Sequence, residues 1–114
     1  MTTKTIKIQV PYGEQIAIGP GKADLLEAIQ RNGSISSAGR AMSMSYKRAW
    51  DLVDIMNKSF RQPLVATATG GSHGGGAQVT EFGFEVLRRY RDIEAKANQA
   101  VMVELNDLHR MLAL

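Results

Sequence analysis

The stretch that decides the fold is SISSAGRAMSMSYKRAW, residues 34–50. Its first serines offer hydroxyl groups that cap helices, and we predict a short helix from Ser36 to Met42. Ser43, Met44 and Ser45 then form a tight connection, and its serines can cap the next helix. Two helices joined by a three-residue turn are typical of a helix-turn-helix.

The second helix of this motif is predicted from about Ser45 to Lys58. At about 100° per residue, one arc of the helix is apolar and should be buried. Its members are Ala49, Leu52, Val53, Met56 and Phe60. The opposite side carries Lys47, Asp51, Asp54 and Lys58, with Arg48 at its edge. This side should face solvent or a partner.

A β-hairpin is predicted directly after this helix. Residues 63–69 read as a strand with proline at its start, and residues 77–80 read as a short return strand. The glycine-rich residues 70–76 connect them. This loop lacks the order of a phosphate-binding loop and precedes a strand instead of a helix. A helix-turn-helix followed by a hairpin indicates a winged helix-turn-helix.

The residues before this unit predict a second hairpin and a further helix. Residues 5–10 alternate between apolar and polar, which is typical of a half-buried strand. Pro11-Tyr12-Gly13 is a combination of residues typical of a turn, and a weaker alternation of apolar and polar residues continues to Ile18. Gly19-Pro20-Gly21 should break the chain. Residues 22–32 have helical spacing, and Gly33 should end that helix.

After the wing, Thr80 can cap a helix that begins at Glu81. Apolar residues then recur at steps of three or four up to Leu112, in one long helix or in two helices with a small break. The predicted fold class is therefore mainly α with small β. It is a single domain, with a core winged unit over residues 19–83 and a helical region over residues 84–114.

Composition excludes several classes of protein. The 114 residues contain no cysteine, which rules out disulfides, thiolate metal sites and a cysteine nucleophile. Two isolated histidines do not suggest a metal site, and no serine, threonine or carboxylate pair has catalytic surroundings. We therefore expect no enzyme, metal or cofactor. Without a signal-peptide pattern or an apolar span, we expect a cytoplasmic protein that does not enter membranes.

Basic residues concentrate around the helix-turn-helix. Five basic residues and two aspartates between Ser36 and Gln62 leave a local excess of +3, which equals the formal net charge of the whole chain. A recognition helix presents its N-terminal residues to the major groove of duplex DNA. Arg48 can bond a guanine through two donors, whereas Lys47 suits a phosphate. The alternative is that both are merely solvated.

The predicted DNA contacts come from the motif, the end of its second helix and the wing. They are Ser36, Ser37, Arg40, Ser45, Tyr46, Lys47, Arg48, Lys58, Arg61, Ser72 and His73. Helix packing is favoured over DNA stacking for Trp50, because paired bases do not offer their faces. His73 either touches DNA at the wing tip or is an exposed histidine of a loop.

These residues resemble the DNA-binding domain of the molybdate-responsive ModE regulators, which are relatives of the LysR-type winged helices. The similarity rests on residues 33–36, the run SYKRAW at residues 45–50, Met56-Asn57, residues 63–65, the glycine-rich loop and residues 79–83. It extends over residues 19–97.

The resemblance implies a homodimeric transcriptional regulator that binds an inverted repeat in double-stranded DNA. It also implies dimerisation through helices that flank the winged unit, for which we single out Val86, Ile93, Val101, Leu105, Leu108 and Leu112. The alternative for this stripe is a core helix within one chain. Since the sequence ends at Leu114, we expect a regulator without the molybdate-binding domains of full-length members.

Ser43 departs from the pattern of such motifs, which often have glycine at this turn position. If Ser43 has a positive φ angle, the serine costs on the order of 1 kcal/mol. The competing function for the whole chain is a protein-interaction module that uses the winged fold without DNA. The modest net charge and the aspartates on the second helix suggest this alternative.

Overall fold

A computed structural model describes residues 6–68 and 76–113. The helices in these residues are α1 (Pro20–Asn32), α2 (Ile35–Ala41), α3 (Tyr46–Ser59), α4 (Glu81–Ala100) and α5 (Met102–His109). The strands are β1 (Val10–Tyr12), β2 (Gln15–Ile18), β3 (Val65–Thr67) and β4 (Ala77–Val79). Strands β1 and β2 form one antiparallel hairpin, and β3 and β4 form another. The prediction of a mainly α winged helix-turn-helix with small β is confirmed.

The N-terminal hairpin exists but lies further along the chain than predicted. Tyr12, which was expected in the turn, ends β1, and the turn is formed by Gly13 and Glu14. Gly13 has a φ angle of 61°, which glycine adopts without strain. The register shifts between Val10 and Pro11, and such an irregularity is where a strand tolerates proline.

The segment before β1, residues 6–9, is not a strand, so the prediction for residues 5–10 is wrong there. The backbone nitrogen of Ile6 donates to Oδ1 of Asn98 at 2.7 Å, and the backbone oxygen of Ile8 accepts from the Tyr90 hydroxyl at 2.7 Å. The predicted alternation of burial is present in residues 6–10. However, side chains of α4 satisfy this backbone instead of a second strand.

Helix α1 begins two residues before the predicted start. Pro20 is its first residue, because proline lacks the N–H that a first helical position leaves unbonded and its φ angle already suits a helix. Gly33 ends the helix in the left-handed conformation with a φ angle of 76°, as predicted. The carbonyl of Gly33 also accepts from the backbone nitrogen of Ala77 at 2.9 Å, which attaches β4 to this end of α1.

The core lies where α1, α2 and α3 meet the two hairpins and the first half of α4. Its largest fully buried side chains are Tyr90, Leu25, Leu26, Ile29, Met56 and Leu64. From the predicted apolar arc of α3, Ala49, Val53 and Met56 are buried, and Leu52 and Phe60 pack against the cluster. The apolar arc is thereby confirmed.

Gly83 allows α4 to start directly against the wing. A Cβ atom at this position would collide with the carbonyl oxygen of Leu64 and lie 2.8 Å from Cγ1 of Val79. The Thr80 hydroxyl accepts from the backbone nitrogen of Gly83 at 2.9 Å, so Thr80 caps α4 as predicted. The absence of a side chain at Gly83 therefore lets the backbone of Leu64 approach the start of α4 closely.

The C-terminal region is two helices. Val101, with φ −108° and ψ 10°, separates α4 from α5. Buried residues of α4 do not extend past Tyr90, and α5 has none. The radius of gyration is 16.2 Å, whereas a compact domain of this length has about 13 Å. The second half of α4 and α5 therefore project from the core, which contradicts the alternative of a core helix for this part of the chain.

Candidate nucleic-acid interface

The turn between α2 and α3 fixes the direction of α3. Ser45 caps α3, since its hydroxyl accepts from the backbone nitrogen of Arg48 at 3.1 Å. Met44 donates its backbone N–H to the Gly39 carbonyl at 2.9 Å. A Cβ atom on Gly39 would lie only 3.2 Å from that of Ala49, so the two helices approach closely at this point. The N-terminal turn of α3 is thus held rigidly at the surface.

Ser43 has a φ angle of 57° and is the non-glycine residue with positive φ in the part of the chain that the structure describes. The conditional prediction of a strained serine in the turn is therefore confirmed. The left-handed conformation costs a residue with a Cβ atom roughly 1–2 kcal/mol.

Helix α2 presents three of the predicted contact residues together. Nη1 of Arg40 donates to the Ser36 hydroxyl at 2.9 Å, and Nη2 donates to the Ser37 hydroxyl at 3.2 Å. These serines are neutral, so the guanidinium keeps its full charge. Because α2 packs on the start of α3, this polar group lies beside the turn.

Ion pairs neutralise two of the cations on α3. Lys47 pairs with Asp51 at 3.1 Å, and Lys58 pairs with Asp54 at 2.9 Å. Both lysines are highly exposed, and such pairs contribute only about 0–1 kcal/mol. A phosphate can therefore replace either aspartate at small cost.

Arg48 is exposed and forms no ion pair within residues 6–68 and 76–113. Lys22, in the first turn of α1, lies near it. Partial burial and the charge of Arg48 both lower the pKa of the Lys22 ammonium. Two like charges close enough to interact create a positive potential that stabilises an anion. The sequence analysis missed Lys22, because its position beside Arg48 depends on how α1 packs on α3.

Trp50 of α3 is more exposed than predicted. Trp50 is 46% exposed, and it is not among the partly buried hydrophobic residues that pack against the core. Within the described residues, Trp50 therefore does not pack into the core, contrary to the interpretation of Trp50 as a packing residue. Tyr46 is 58% exposed and precedes Trp50 by four positions, on the same side of the helix.

Asn57 attaches the wing to α3. Its Oδ1 accepts from the backbone nitrogens of Leu64 at 2.8 Å and Val65 at 3.1 Å, and its Nδ2 donates to the Val65 carbonyl at 3.1 Å. Three bonds to buried backbone groups make this asparagine a structural part of the interface. Ser72 and His73, predicted at the tip of the wing, lie outside the described residues.

Arg61 follows α3 on the side of α4. Its guanidinium lies 5.5 Å from the centroid of the Phe82 ring, within the range of a cation–π interaction. The structure therefore separates the predicted cations into two groups: Arg40, Lys47 and Arg48 near the turn, and Lys58 and Arg61 at the far end of α3.

Curated relatives match most of the chain. The molybdenum transport protein ModE of Azotobacter vinelandii is 41% identical over 85 residues, 75% of this chain and 32% of that protein. The transcriptional regulator ModE of Yersinia pestis is 37% identical over 103 residues, 90% of this chain and 37% of that protein. No family model matches the chain.

The chain belongs to the ModE family. Among the other relatives is the molybdenum-pterin-binding protein MopA of Rhodobacter capsulatus, 43% identical over 86 residues, which are 75% of this chain and 32% of that protein. The chain thus spans about a third of the length of the curated relatives it matches.

The ModE-like chain also exposes apolar side chains along α4, α5 and the residues after them. They are Ile93 (47%), Met102 (53%), Val103 (69%), Leu108 (56%), Met111 (81%) and Leu112 (51%). We call this set the C-terminal apolar strip. Of the predicted dimerisation residues, Ile93, Leu108 and Leu112 belong to it and Val101 and Leu105 are partly buried beside it. Val86 packs against the core of its own chain.

Residues 6–68 and 76–113 contain no group of three or more histidine, aspartate or glutamate side chains that could hold a metal ion. None of the helices in these residues is long and apolar enough to cross a membrane.

Proposed function

We propose that this protein is a dimeric, sequence-specific DNA-binding transcriptional regulator. Arg48 carries the proposal: it lies exposed in the capped first turn of α3, without an ion-pair partner in the described residues and near enough to Lys22 for its charge to lower the pKa of that ammonium. The names of the relatives as transcriptional regulators support it. In this role α3 lies in the major groove, and Arg48 bonds the edge of a guanine.

The polar residues around Arg48 position the protein on the DNA backbone. Lys22 and Lys47 bind phosphates on either side of the groove, and Arg40, held by Ser36 and Ser37, binds a phosphate next to the turn. Lys58, Arg61 and the wing, with Ser72 and His73, contact the backbone further along. Two copies joined at the C-terminal apolar strip place two α3 helices against an inverted repeat.

The test begins with selection of bound sequences from random duplex DNA. The affinity of wild-type protein and Arg48→Ala for the best sequence and for a scrambled one is then measured by fluorescence anisotropy. We expect Arg48→Ala to weaken binding to the selected duplex by about 1–3 kcal/mol of binding free energy. The loss of binding free energy on the scrambled duplex should be smaller. The matched control is Arg89→Ala on α4, whose guanidinium is paired with Glu85; it should change neither affinity.

Two results contradict parts of the proposal. Equal losses on both duplexes would mean that Arg48 contacts only phosphate. An absence of duplex binding at low ionic strength would refute DNA binding altogether, because the electrostatic attraction between basic residues and phosphates is strongest there.

The competing candidate is a protein-interaction module, and the ion pairs of Lys47 and Lys58 favour it by reducing the free charge on α3. Such exposed pairs are weak, so they do not outweigh the unpaired Arg48. The same binding experiment decides between the two candidates.

A further inference from the structure

Two aromatic side chains of α3 are exposed and lie outside the core of the fold. Tyr46 is 58% exposed and Trp50 is 46% exposed. Exposed large apolar groups that lie side by side generally mark a contact surface. Tyr46 and Trp50 are four residues apart and therefore lie next to one another on the helix. We call the two the aromatic pair.

The position of Asn57 shows which flank of α3 carries the aromatic pair. At about 100° per residue, Tyr46, Trp50 and Asn57 fall within roughly 40° of one another around the helix. Since Asn57 bonds the backbone of β3, this flank is the one beside the wing. Arg48 lies about 160° from Trp50, on the flank beside Lys22.

The surface between these flanks is thus cationic at one edge and aromatic at the other. Such an arrangement discriminates between the chemical groups of a groove. Phosphates and guanine edges suit the cationic edge, whereas the aromatic pair offers broad apolar surface and only one hydrogen-bond donor per ring. Paired bases do not expose their faces for stacking. The apolar group that the major groove does expose is the 5-methyl of thymine.

We propose that Tyr46 and Trp50 contact thymine methyl groups in the major groove and so determine a preference for thymine at the positions next to the wing. This inference rests on the proposed DNA-binding function. It assigns a specificity role to two residues that are neither part of the core nor charged.

The test removes the methyl groups without changing base pairing. In the best selected duplex, each thymine is replaced in turn by deoxyuridine, and the affinity of the wild-type protein is measured. We expect one or two positions per half-site at which the affinity falls about fourfold, the factor for removing one buried methyl group from contact. Trp50→Ala should bind the thymine and uracil duplexes at those positions equally.

The matched control is Phe84→Ala. Phe84 is 41% exposed on α4 between the acidic residues Glu81 and Glu85, which do not suit a DNA surface. This variant should retain the full difference between thymine and uracil. Circular dichroism and thermal unfolding establish whether Trp50→Ala is folded, and Trp50→Leu, which keeps an apolar side chain, should preserve part of the methyl dependence.

A second measurement needs no variant, because Trp50 is the sole tryptophan of the chain. Its fluorescence should be quenched by acrylamide in the free protein and become protected when the selected duplex is added.

The proposal is overturned if the protein binds duplex DNA but no uracil substitution weakens binding, if Trp50→Ala keeps the methyl dependence, or if the duplex leaves the quenching unchanged. A change in oligomeric state caused by Trp50→Leu would assign the pair to a protein contact instead. Absence of duplex binding would refute the proposed function itself.

Discussion

Ser43 bears the backbone strain of the turn between α2 and α3. Its φ angle of 57° places its Cβ atom against the following carbonyl. We expect Ser43→Gly to raise the free energy of unfolding by about 0.5–1 kcal/mol, because relief of this strain exceeds the extra entropy of glycine in the unfolded chain. Urea unfolding measures the effect. Ser43→Ala, which keeps the Cβ atom, should bring no gain, and an equal gain from alanine would contradict the strain argument.

Lys22 brings a charge from α1 to the first turn of α3. Its position beside Arg48 leads us to expect that Lys22→Gln reduces the slope of log affinity against log salt concentration by about 0.9 per protomer. The loss should be similar for selected and scrambled duplexes, since phosphates carry no base identity. Lys96→Gln on α4, where the lysine pairs with Asp92, is the control with the same charge change. An unchanged slope in Lys22→Gln would exclude Lys22 from the interface.

At the scale of elements, Tyr90 joins α4 to the N-terminal segment. Burial, and then the negative charge of Glu94, raise the pKa of Tyr90 to about 12. Because the unfolded chain releases this proton near pH 10, the folded state is stabilised below pH 10. That contribution is lost as the pH rises to 12. The expected loss in unfolding free energy between pH 10 and 12 is roughly 2–3 kcal/mol, from 1.36 kcal/mol per pKa unit.

Urea unfolding between pH 8 and 12 tests this expectation. Tyr90→Phe should lose about 1 kcal/mol at pH 8, because the bond to the Ile8 carbonyl is gone, and should show a smaller decrease in stability above pH 10. Tyr12→Phe, a change at an exposed tyrosine, should behave as the wild type. Parallel curves for wild type and Tyr90→Phe would contradict the assignment to Tyr90.

Arg91 joins α4 to α1 at a second point. Its guanidinium pairs with Asp24 at 2.7 Å and Glu27 at 2.9 Å on α1, and with Glu94 at 2.8 Å on its own helix. Burial opposes the charged form, but these carboxylates together raise the pKa of Arg91. The orientation of α4 is therefore fixed relative to the helix that carries Lys22.

Across the whole molecule, the features that depend on neighbouring residues were predictable from the sequence. Ser45 and Thr80 cap the helices expected from them, and Gly33 ends α1, because caps need contacts only within one helical turn. Features that depend on packing were not predictable. The alternation in residues 6–9 did not reveal that side chains of α4 would form hydrogen bonds with that backbone. No local pattern in the sequence indicated that Lys22 would lie near Arg48.

The same distinction explains Trp50. Its position between the polar and apolar arcs of α3 is a local property that follows from the helical spacing of the sequence. Whether a boundary residue is buried depends on what packs beside it, and Trp50 remains 46% exposed in the part of the chain that the structure describes. The sequence therefore places Trp50 at the boundary of the apolar arc, but it does not determine whether Trp50 belongs to the core or to a contact surface.

At the scale of the whole molecule, the exposure of the C-terminal apolar strip favours a contact with a partner. Helix α5 has no buried residue, and the second half of α4 and α5 project from the winged unit. Six exposed apolar side chains, four on the projecting helices and two just after α5, are costly in water, and a second copy presents an identical strip that can cover them. We therefore expect sedimentation equilibrium to give twice the 12.5 kDa mass of one chain.

Leu108→Glu tests this dimer, because it places a charge in the strip without touching the core. We expect it to produce a monomer that retains the fold by circular dichroism. Its affinity for an inverted repeat should fall to that for a single half-site, since the two copies no longer bind as one unit. Gln99→Glu makes the same charge change at an exposed polar residue of α4 and should remain a dimer. A monomeric wild type, or a Leu108→Glu variant that still dimerises and prefers the inverted repeat, would refute this role of the strip.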